Sequence, residues 1–137
     1  MNFGKFGSVG YVSETKIVGF VDNLEKGEIR AARCKKCGTT YFPPRADCKI
    51  CLTSDVAWVS LSGECELITY SRIEHPPTAF KNQAPYVLAV GRLKEGVSVF
   101  APISKNVREE ELKPGLRMVL VPVKTGERVF YELRPAA

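Results

Sequence analysis

The chain has 137 residues, enough for one ordinary domain or for a small domain joined to a metal-stabilised module. Its apolar fraction of 45% and charged fraction of 26% are those of a globular protein, and no apolar run reaches the roughly 18 residues that a membrane span requires. The start of the chain shows no export signal, so we expect a reducing, cytoplasmic location and no membrane partner.

An arm and a helix are predicted for residues 1–27. Residues 1–12 are rich in glycine and aperiodic, which indicates a flexible lead or a segment that contacts a partner. Apolar residues then recur at three- and four-residue spacing over 17–24, as in an amphipathic helix. Ser13 is the expected N-cap of this helix, and Gly27 is the expected C-cap signal.

Two C-x₂-C motifs follow the helix, separated by ten residues. We call them the first hook (residues 34–37) and the second hook (residues 48–51). The four predicted metal ligands are Cys34, Cys37, Cys48 and Cys51. Zinc prefers four such sulfurs at about 2.3 Å, and each hook supplies two from one tight turn. Because all four ligands are protein atoms, the predicted site is structural and closed to Lewis-acid chemistry.

Two alternatives for these cysteines stay open from the residues alone. Iron fits the same sulfurs as zinc. A pair of disulfides is disfavoured, because the chain shows no export signal and its fifth cysteine would be left over. The hooks lie within a predicted zinc ribbon at residues 28–55, with an extended piece at 28–33 and a strand followed by a proline bend at 39–45. Such a ribbon is too small to fold by burial of apolar surface alone.

The formal net charge of +5 overstates how basic the chain is. Four thiolates on one divalent ion carry about −2, which brings the loaded chain to about +3. The exposed basic residues expected around the hooks are Arg33, Lys35, Lys36, Arg45 and Lys49. These charges either offset the thiolates or bind phosphate groups.

From residue 56 the apolar pattern has a period of two, with glycine and proline between the segments. The predicted strands are 56–61, 65–74, 86–93, 97–103, 116–123 and 129–133, with one helical turn at 109–112. Residues 56–137 therefore indicate a five-stranded barrel of the OB type, in which the first two segments form one bent strand. The fold class is mainly β.

Candidate catalytic groups are few. His75 lies between Glu74 and two prolines, which is typical of a turn residue rather than a base. Cys65 is flanked by two glutamates, which raise a thiol pKa, so we expect it to be a small strand side chain. We therefore predict that the chain has no catalytic residue of its own.

The order of these motifs resembles a known family. A helix, a C-x₂-C-G hook, the linker Tyr41-Phe42-Pro43-Pro44-Arg45, a second hook and an OB barrel follow one another in the rubredoxin-like zinc ribbon plus OB-fold proteins, long catalogued as a domain of unknown function. The resemblance covers residues 15–135. It implies a non-catalytic accessory subunit that docks on a thiolase-superfamily catalytic subunit and helps to form its acyl-CoA site. The glycine-rich arm is most similar to the small subunit of benzoylsuccinyl-CoA-type thiolases.

The residues themselves agree in part with a docking role. Tyr41, Phe42 and Met118 are the predicted partner contacts, because aromatic and methionine side chains anchor interfaces. The outer face of the 116–123 strand needs cover, which either a partner or the chain's own helix can supply. In this hypothesis the basic residues around the hooks bind the phosphates of CoA.

Nucleic-acid binding is the alternative function, because zinc ribbons and OB folds both bind nucleic acids. Tyr70 and Arg72 share one strand face, as do Tyr86 and Arg92, and each pair could form a small stacking platform. The modest corrected charge argues against this alternative.

Overall fold

The computed structural model describes Phe6, residues 18–126 and residues 128–136. The elements in order are α1 Gly19–Glu25, β1 Arg30–Cys34, β2 Thr40–Tyr41, β3 Val56–Ser60, β4 Glu64–Ile73, a 3₁₀ helix Thr78–Gln83, β5 Tyr86–Leu93, β6 Ser98–Pro102, a 3₁₀ helix Glu109–Glu111, β7 Arg117–Thr125 and β8 Arg128–Pro135. None of the helices in these ranges has the length and hydrophobicity needed to traverse a bilayer. The mainly β fold predicted from the sequence is confirmed.

Helix α1 is shorter in the described residues than its apolar pattern suggested. It begins at Gly19, and the predicted N-cap Ser13 lies outside the described residues. The predicted end is confirmed: Gly27 has a φ of 84°, and the amide of Glu28 donates to the carbonyl oxygen of Asn23 over 2.8 Å. A glycine at this position lets the chain reverse and satisfies a carbonyl at the end of the helix.

The zinc-ribbon part is a three-stranded antiparallel sheet in the order β2-β1-β3. β1 pairs with β3 along its whole length, from Arg30 opposite Ser60 to Cys34 opposite Val56. The prediction that 56–61 is the first half of a bent barrel strand is therefore wrong. A period of two shows which side chains are buried but does not identify the strand that supplies the hydrogen bonds.

The second sheet is the predicted five-stranded OB barrel, with strands in the order β6-β5-β4-β7-β8. A parallel bridge between Ile103 and Leu133 joins the two edge strands, and the amide of Ser104 donates to the Leu133 carbonyl oxygen over 2.9 Å. Gly63 permits β7 to approach β4, because a Cβ at this position would lie 2.7 Å from the carbonyl oxygen of Leu120. The closed barrel expected from the strand count is thus observed.

One apolar core joins the helix to the barrel. Phe20, Val21 and Leu24 of α1 are at most 2% exposed and belong to the same cluster as the barrel's interior residues. A cluster of aromatic rings extends this core toward the ribbon and consists of Phe6, Phe20, Phe42, Phe130 and Tyr131. The chain's own helix therefore packs on the barrel's interior residues, among them Met118 and Leu120. Cover of the outer face of residues 116–123, by the helix or by a partner, stays a prediction. The ribbon is held against the barrel by the same rings.

Candidate metal centre

The four predicted ligands come together at the edge of the ribbon. The Sγ atoms of Cys34, Cys37, Cys48 and Cys51 all lie within 4.8 Å of one another. The Sγ atoms of Cys37 and Cys48 are 3.6 Å apart. A tetrahedron with metal–sulfur bonds of about 2.3 Å has edges of about 3.8 Å, so this donor set fits a zinc ion. All five cysteines are free, which excludes the disulfide alternative in this structure.

The two hooks have the same backbone geometry. The amide of Gly38 donates to the carbonyl oxygen of Cys34 over 3.0 Å, and the amide of Leu52 donates to that of Cys48 over 2.9 Å. In each hook the first cysteine's amide also donates over 2.9 Å to a carbonyl oxygen five residues later. Gly38 and Leu52 both have positive φ angles, of 78° and 57°. The hooks are thus two copies of one turn that present sulfurs toward a common centre.

Backbone amides point at the buried sulfurs. Cys34 and Cys48 are each 1% exposed. The Sγ of Cys34 accepts from the amides of Lys36 and Cys37 over 3.4 and 3.5 Å, and the Sγ of Cys48 accepts from the amide of Cys51 over 3.4 Å. Hydrogen bonds of this kind favour the charged form of a sulfur, so the turns are built to hold thiolates.

Tyr41 supplies a further donor to the second hook. Its hydroxyl accepts from the amide of Lys49 over 3.1 Å and donates to the Sγ of Cys48 over 3.3 Å. This hydrogen bond is the main reason that the pKa of Cys48 falls to about 6. Tyr41 is only 9% exposed and belongs to the small ribbon core with Cys34 and Cys48. Its hydroxyl is directed at the centre, and the predicted contact of Tyr41 with a partner stays a prediction.

The remaining sulfurs show why the cluster needs a cation. Contact with Cys37, followed by burial, raises the pKa of Cys51 to about 12. Hydrogen bonds from Thr39 lower the pKa of Cys37. Adjacent thiols cannot all ionise unaided, since each thiolate opposes the next. A bound divalent ion removes that opposition, and the four sulfurs would then close its coordination shell.

The predicted phosphate-binding residues surround this centre on the surface. All five are exposed: Arg33, Lys35, Lys36, Arg45 and Lys49. Arg45 lies over the ring of Tyr41, 5.3 Å from its centroid, and Lys35 forms an ion pair of 3.3 Å with Asp55. The other three make no ion pair within the described residues. Their assignment to CoA phosphates stays a prediction.

Two further predicted interface residues lie inward. Met118 is 1% exposed inside the barrel, so the prediction that it contacts a partner is wrong. Met118 lies on the interior face of β7, and the neighbouring residue Val119 on the other face is half-buried. Phe42 is half-buried, and its ring centroid lies 5.8 Å from that of Phe20 and 5.5 Å from that of Tyr131. Phe42 therefore packs at the junction between ribbon and barrel, and its contact with a partner stays a prediction.

The candidate catalytic residues are not brought together. His75 is exposed in the bend after β4, whereas Cys65 is 8% exposed near the start of β4. Burial raises the pKa of the Cys65 thiol to about 11, so it is a poor nucleophile. Its position in the core agrees with the predicted role of a small strand side chain.

One stacking platform of the nucleic-acid alternative is engaged internally. The hydroxyl of Tyr70 donates to the carbonyl oxygen of Leu112 over 3.2 Å, and its ring packs against the core. Arg72 forms ion pairs of 3.3 Å with both Glu74 and Glu109. A nucleobase would have to displace these contacts before it could stack, so Tyr70 and Arg72 do not form an open platform.

Two exposed apolar residues, one in the second hook and one directly after it, were not predicted from the sequence. Leu52 is 85% exposed and Ile50 is 63% exposed. One signal was visible in the chain: glycine follows the first hook, whereas leucine follows the second. The ribbon also has a groove of 220 Å³, lined by residues that include Arg45 and Trp58. No pattern in the sequence indicated this groove.

Comparisons with known proteins assign both halves of the chain. Residues 22–57 match the family described as ChsH2, rubredoxin-like zinc ribbon domain, and residues 58–123 match ChsH2, C-terminal OB-fold domain. The DUF35 domain-containing scaffold protein of Methanocaldococcus jannaschii is 37% identical over 90 residues, which are 65% of this chain and 63% of that protein. Its counterpart from Pyrococcus furiosus is 33% identical over 103 residues, 75% of this chain and 74% of that one. The chain therefore spans less than two thirds of the length of the relative from Methanocaldococcus jannaschii.

Solved structures of similar fold include the following two. The Ltp2-ChsH2(DUF35) aldolase matches with a TM-score of 0.74 and 26% identity, covering 87% of this chain and 93% of the other. A protein of unknown function from the DUF35 family of Sulfolobus solfataricus matches with a TM-score of 0.58 and 19% identity, covering 86% and 83%. The second likeness supports the fold alone.

Proposed function

Because this chain belongs to the DUF35-domain scaffold proteins, we propose that it is a zinc-binding accessory subunit of a thiolase-superfamily acyl-CoA complex. The observation that carries this proposal is the closed set of four sulfurs beside a barrel in whose described residues His75 and Cys65 do not form a catalytic pair. A four-sulfur site leaves no position for substrate or water, so it stabilises structure. The likeness to an aldolase complex supports a catalytic partner for this chain as well.

The ion would act on the geometry of the ribbon. The first hook begins at the last residue of β1, whereas the second hook lies in the loop between β2 and β3. The ribbon core consists of Cys34, Tyr41 and Cys48 with Cys51 against it. Such a small core cannot hold both hooks in place without a further link. Zinc bound by the four sulfurs fixes their relative position and therefore the surface that the hooks present.

The carbon–carbon bond chemistry would lie on the partner. In this proposal the partner holds the nucleophile and base, and this chain docks beside its acyl-CoA site. The exposed cations around the hooks support a role near the CoA phosphates, because Arg33, Lys36 and Lys49 carry no ion pair within the described residues. A charged ligand would be attracted to such a surface. We place the complex in the cytoplasm, where thiolates stay reduced.

Affinity purification of the tagged chain from its native cell tests this function. We expect a thiolase-superfamily subunit to be recovered in fixed stoichiometry, with one zinc ion per tagged chain by elemental analysis. The matched control is Cys37→Ser, which removes one ligand and should release both zinc and the partner while the barrel's circular dichroism persists. Recovery of RNA in place of an enzyme, or of a folded and metal-free chain without a partner, would refute the proposal.

A further inference from the structure

Cys37 is the exposed member of the four-sulfur set. Cys34 and Cys48 are each 1% exposed, and Cys51 is half-buried against the ribbon core. Cys37 is exposed, although it has the same place in the first hook that Cys51 has in the second. A Cβ at Gly38, the next residue, would meet no atom within 4 Å beyond its chain neighbours, so no other segment covers this part of the hook. A small molecule from solvent therefore reaches the sulfur of Cys37 most easily.

Metal binding adds charge to this exposure. A thiol that coordinates a divalent ion is deprotonated, and the thiolate is the form of cysteine that reacts with oxidants. The hydroxyl oxygen of Thr39 lies 3.1 Å from the Sγ of Cys37 and donates to it once the sulfur is charged. Oxidation of a cysteine requires both thiolate character and exposure. Cys37 combines the two more fully than the other four cysteines, of which three are buried and one is half-buried.

We propose that Cys37 is a site of reversible oxidation by hydrogen peroxide, and that Cys48 completes a disulfide with it. The Sγ atoms of these two residues are 3.6 Å apart and belong to different hooks. An S–S bond is about 2.05 Å long, so the two sulfurs must approach by about 1.5 Å. An exposed thiolate beside a second cysteine is the arrangement found in redox-sensitive proteins. This inference concerns the chain alone and does not depend on the proposed partner.

The oxidation takes place in two steps. The Sγ of Cys37 attacks one oxygen of hydrogen peroxide, the O–O bond breaks, and a sulfenic acid forms with release of hydroxide. The Sγ of Cys48 then attacks the sulfur of that sulfenic acid, so that an S–S bond forms and the S–OH bond breaks. Both hydroxide ions take up protons from solvent and become water. The two thiolates have then lost two electrons, which the oxygens of the peroxide have gained.

Oxidation removes two of the four ligands from the centre. The sulfurs of a disulfide carry no charge, so Cys34 and Cys51 are left of the thiolate set. Two thiolates hold a divalent ion far less tightly than a closed set of four. Release of the ion takes away the link that the small core around Tyr41 cannot replace. Thiol reductants reverse the disulfide by exchange, after which the chain binds metal again.

Mass-spectrometric mapping of the zinc-loaded chain tests the site. The probe is one equivalent of hydrogen peroxide at pH 7, added with dimedone, which traps sulfenic acids. We expect dimedone on Cys37 and, when it is left out, a disulfide between Cys37 and Cys48 with release of the bound zinc to a chromophoric chelator. Cys65 is an internal control and should stay unmodified, because it is 8% exposed. Dithiothreitol and fresh zinc should restore the zinc content.

A matched pair of ligand exchanges measures how far the rate depends on Cys37. Cys37→His and Cys51→His each keep four ligands, since zinc accepts three cysteines and one histidine. We expect Cys37→His to slow peroxide-driven zinc release at least tenfold, because histidine offers no thiolate to the peroxide. Cys51→His should stay within threefold of the wild type, because Cys37 and Cys48 both remain. Each rate is corrected for zinc lost without peroxide, which accounts for altered affinity.

Four results would overturn the inference. Dimedone on Cys51, or a first disulfide that lacks Cys37, would show that exposure does not select the site. A disulfide between Cys37 and a cysteine other than Cys48 would refute the role of Cys48. Equal slowing in the two histidine variants would show that no particular sulfur limits the reaction. Zinc retained after one equivalent of peroxide, or lost beyond recovery by dithiothreitol, would disprove reversible oxidation. If Cys37→His fails to bind zinc, the mapping of the wild-type chain decides.

Discussion

The Tyr41 hydroxyl allows one hydrogen bond to the metal centre to be removed without changing a ligand. Tyr41→Phe deletes the donor to the Sγ of Cys48, which lies 3.3 Å away, and the acceptor of the Lys49 amide, 3.1 Å away. The ring remains in place, so the apolar packing of the ribbon core is unchanged. The four ligands are also unchanged, so any effect on metal affinity comes from the hydroxyl.

The size of the effect follows from which bond depends on the metal. The bond from the Lys49 amide exists with or without the ion, so its loss lowers stability in both states. The bond to Cys48 is strengthened by the charge of the thiolate, and bonds to charged groups contribute about 1.5–3 kcal/mol. At about 1.4 kcal/mol for each factor of ten, we expect zinc affinity to fall roughly 10- to 150-fold.

Competition with a chromophoric chelator at pH 7 measures this change in affinity. The matched control is Tyr70→Phe, which deletes the hydrogen bond to the Leu112 carbonyl oxygen in the barrel. That control should lower the free energy of unfolding by about 1 kcal/mol and leave the zinc affinity unchanged.

A pH titration of the metal-loaded protein shows in which direction the loss of the hydroxyl shifts the pH of zinc release. In the metal-free chain the Tyr41 bond lowers the pKa of Cys48 to about 6, so protons compete with zinc for this sulfur less than they do for an ordinary cysteine. In Tyr41→Phe the pKa of Cys48 rises toward the usual cysteine range, protons compete better, and zinc is released at a higher pH. Equal zinc affinity in Tyr41→Phe and the wild type, with superimposed release curves, would refute the role of the hydroxyl.

Three further outcomes are expected. Removal of the metal by a chelator should abolish hydrogen-exchange protection in β1 while β4 stays protected, because the ribbon has almost no other core; equal protection in both strands would contradict this. Gly63→Ala should lower the free energy of unfolding in urea by about 2–4 kcal/mol, since its Cβ would lie 2.7 Å from the carbonyl oxygen of Leu120. The control Gly115→Ala, where the Cβ would meet open space at a φ of 93°, should lower it by about 1 kcal/mol. Similar losses for both variants would disprove the clash at Gly63. Cys65 should resist iodoacetamide at pH 8 until the protein unfolds, because burial raises its pKa to about 11; fast labelling of the native protein, seen by mass spectrometry, would show that it is accessible.

The metal ligands were predictable because the chelating unit is local. Each C-x₂-C turn places two sulfurs on one side of a short loop, whatever the rest of the chain does. The barrel strands were predictable for a similar reason, since glycine and proline mark turns within a few residues of where they act. The strand predicted at 86–93, for example, is observed as Tyr86–Leu93.

The contacts between segments distant in the chain were not predictable from these patterns. The segment at 56–61 has the period of a strand, but only the fold shows that β3 pairs with β1 and not within the barrel. Met118 and Tyr41 have side chains that suit an interface, yet one faces the barrel interior and the other donates to a metal ligand. Residue type expresses what a side chain can do, whereas its neighbours depend on the path of the whole chain.

The amino-acid sequence by itself determined that this protein carries four cysteines in the spacing of a metal centre and a small β barrel, because both depend on spacing over a few residues. The tertiary structure decided which side chains point at that centre, which strands share a sheet, and that Leu52 lies exposed in a strained turn. The physical reason is that burial and hydrogen-bond partners are set by contacts between segments distant in the chain. A linear pattern shows which groups need partners, and the fold determines which partners they find.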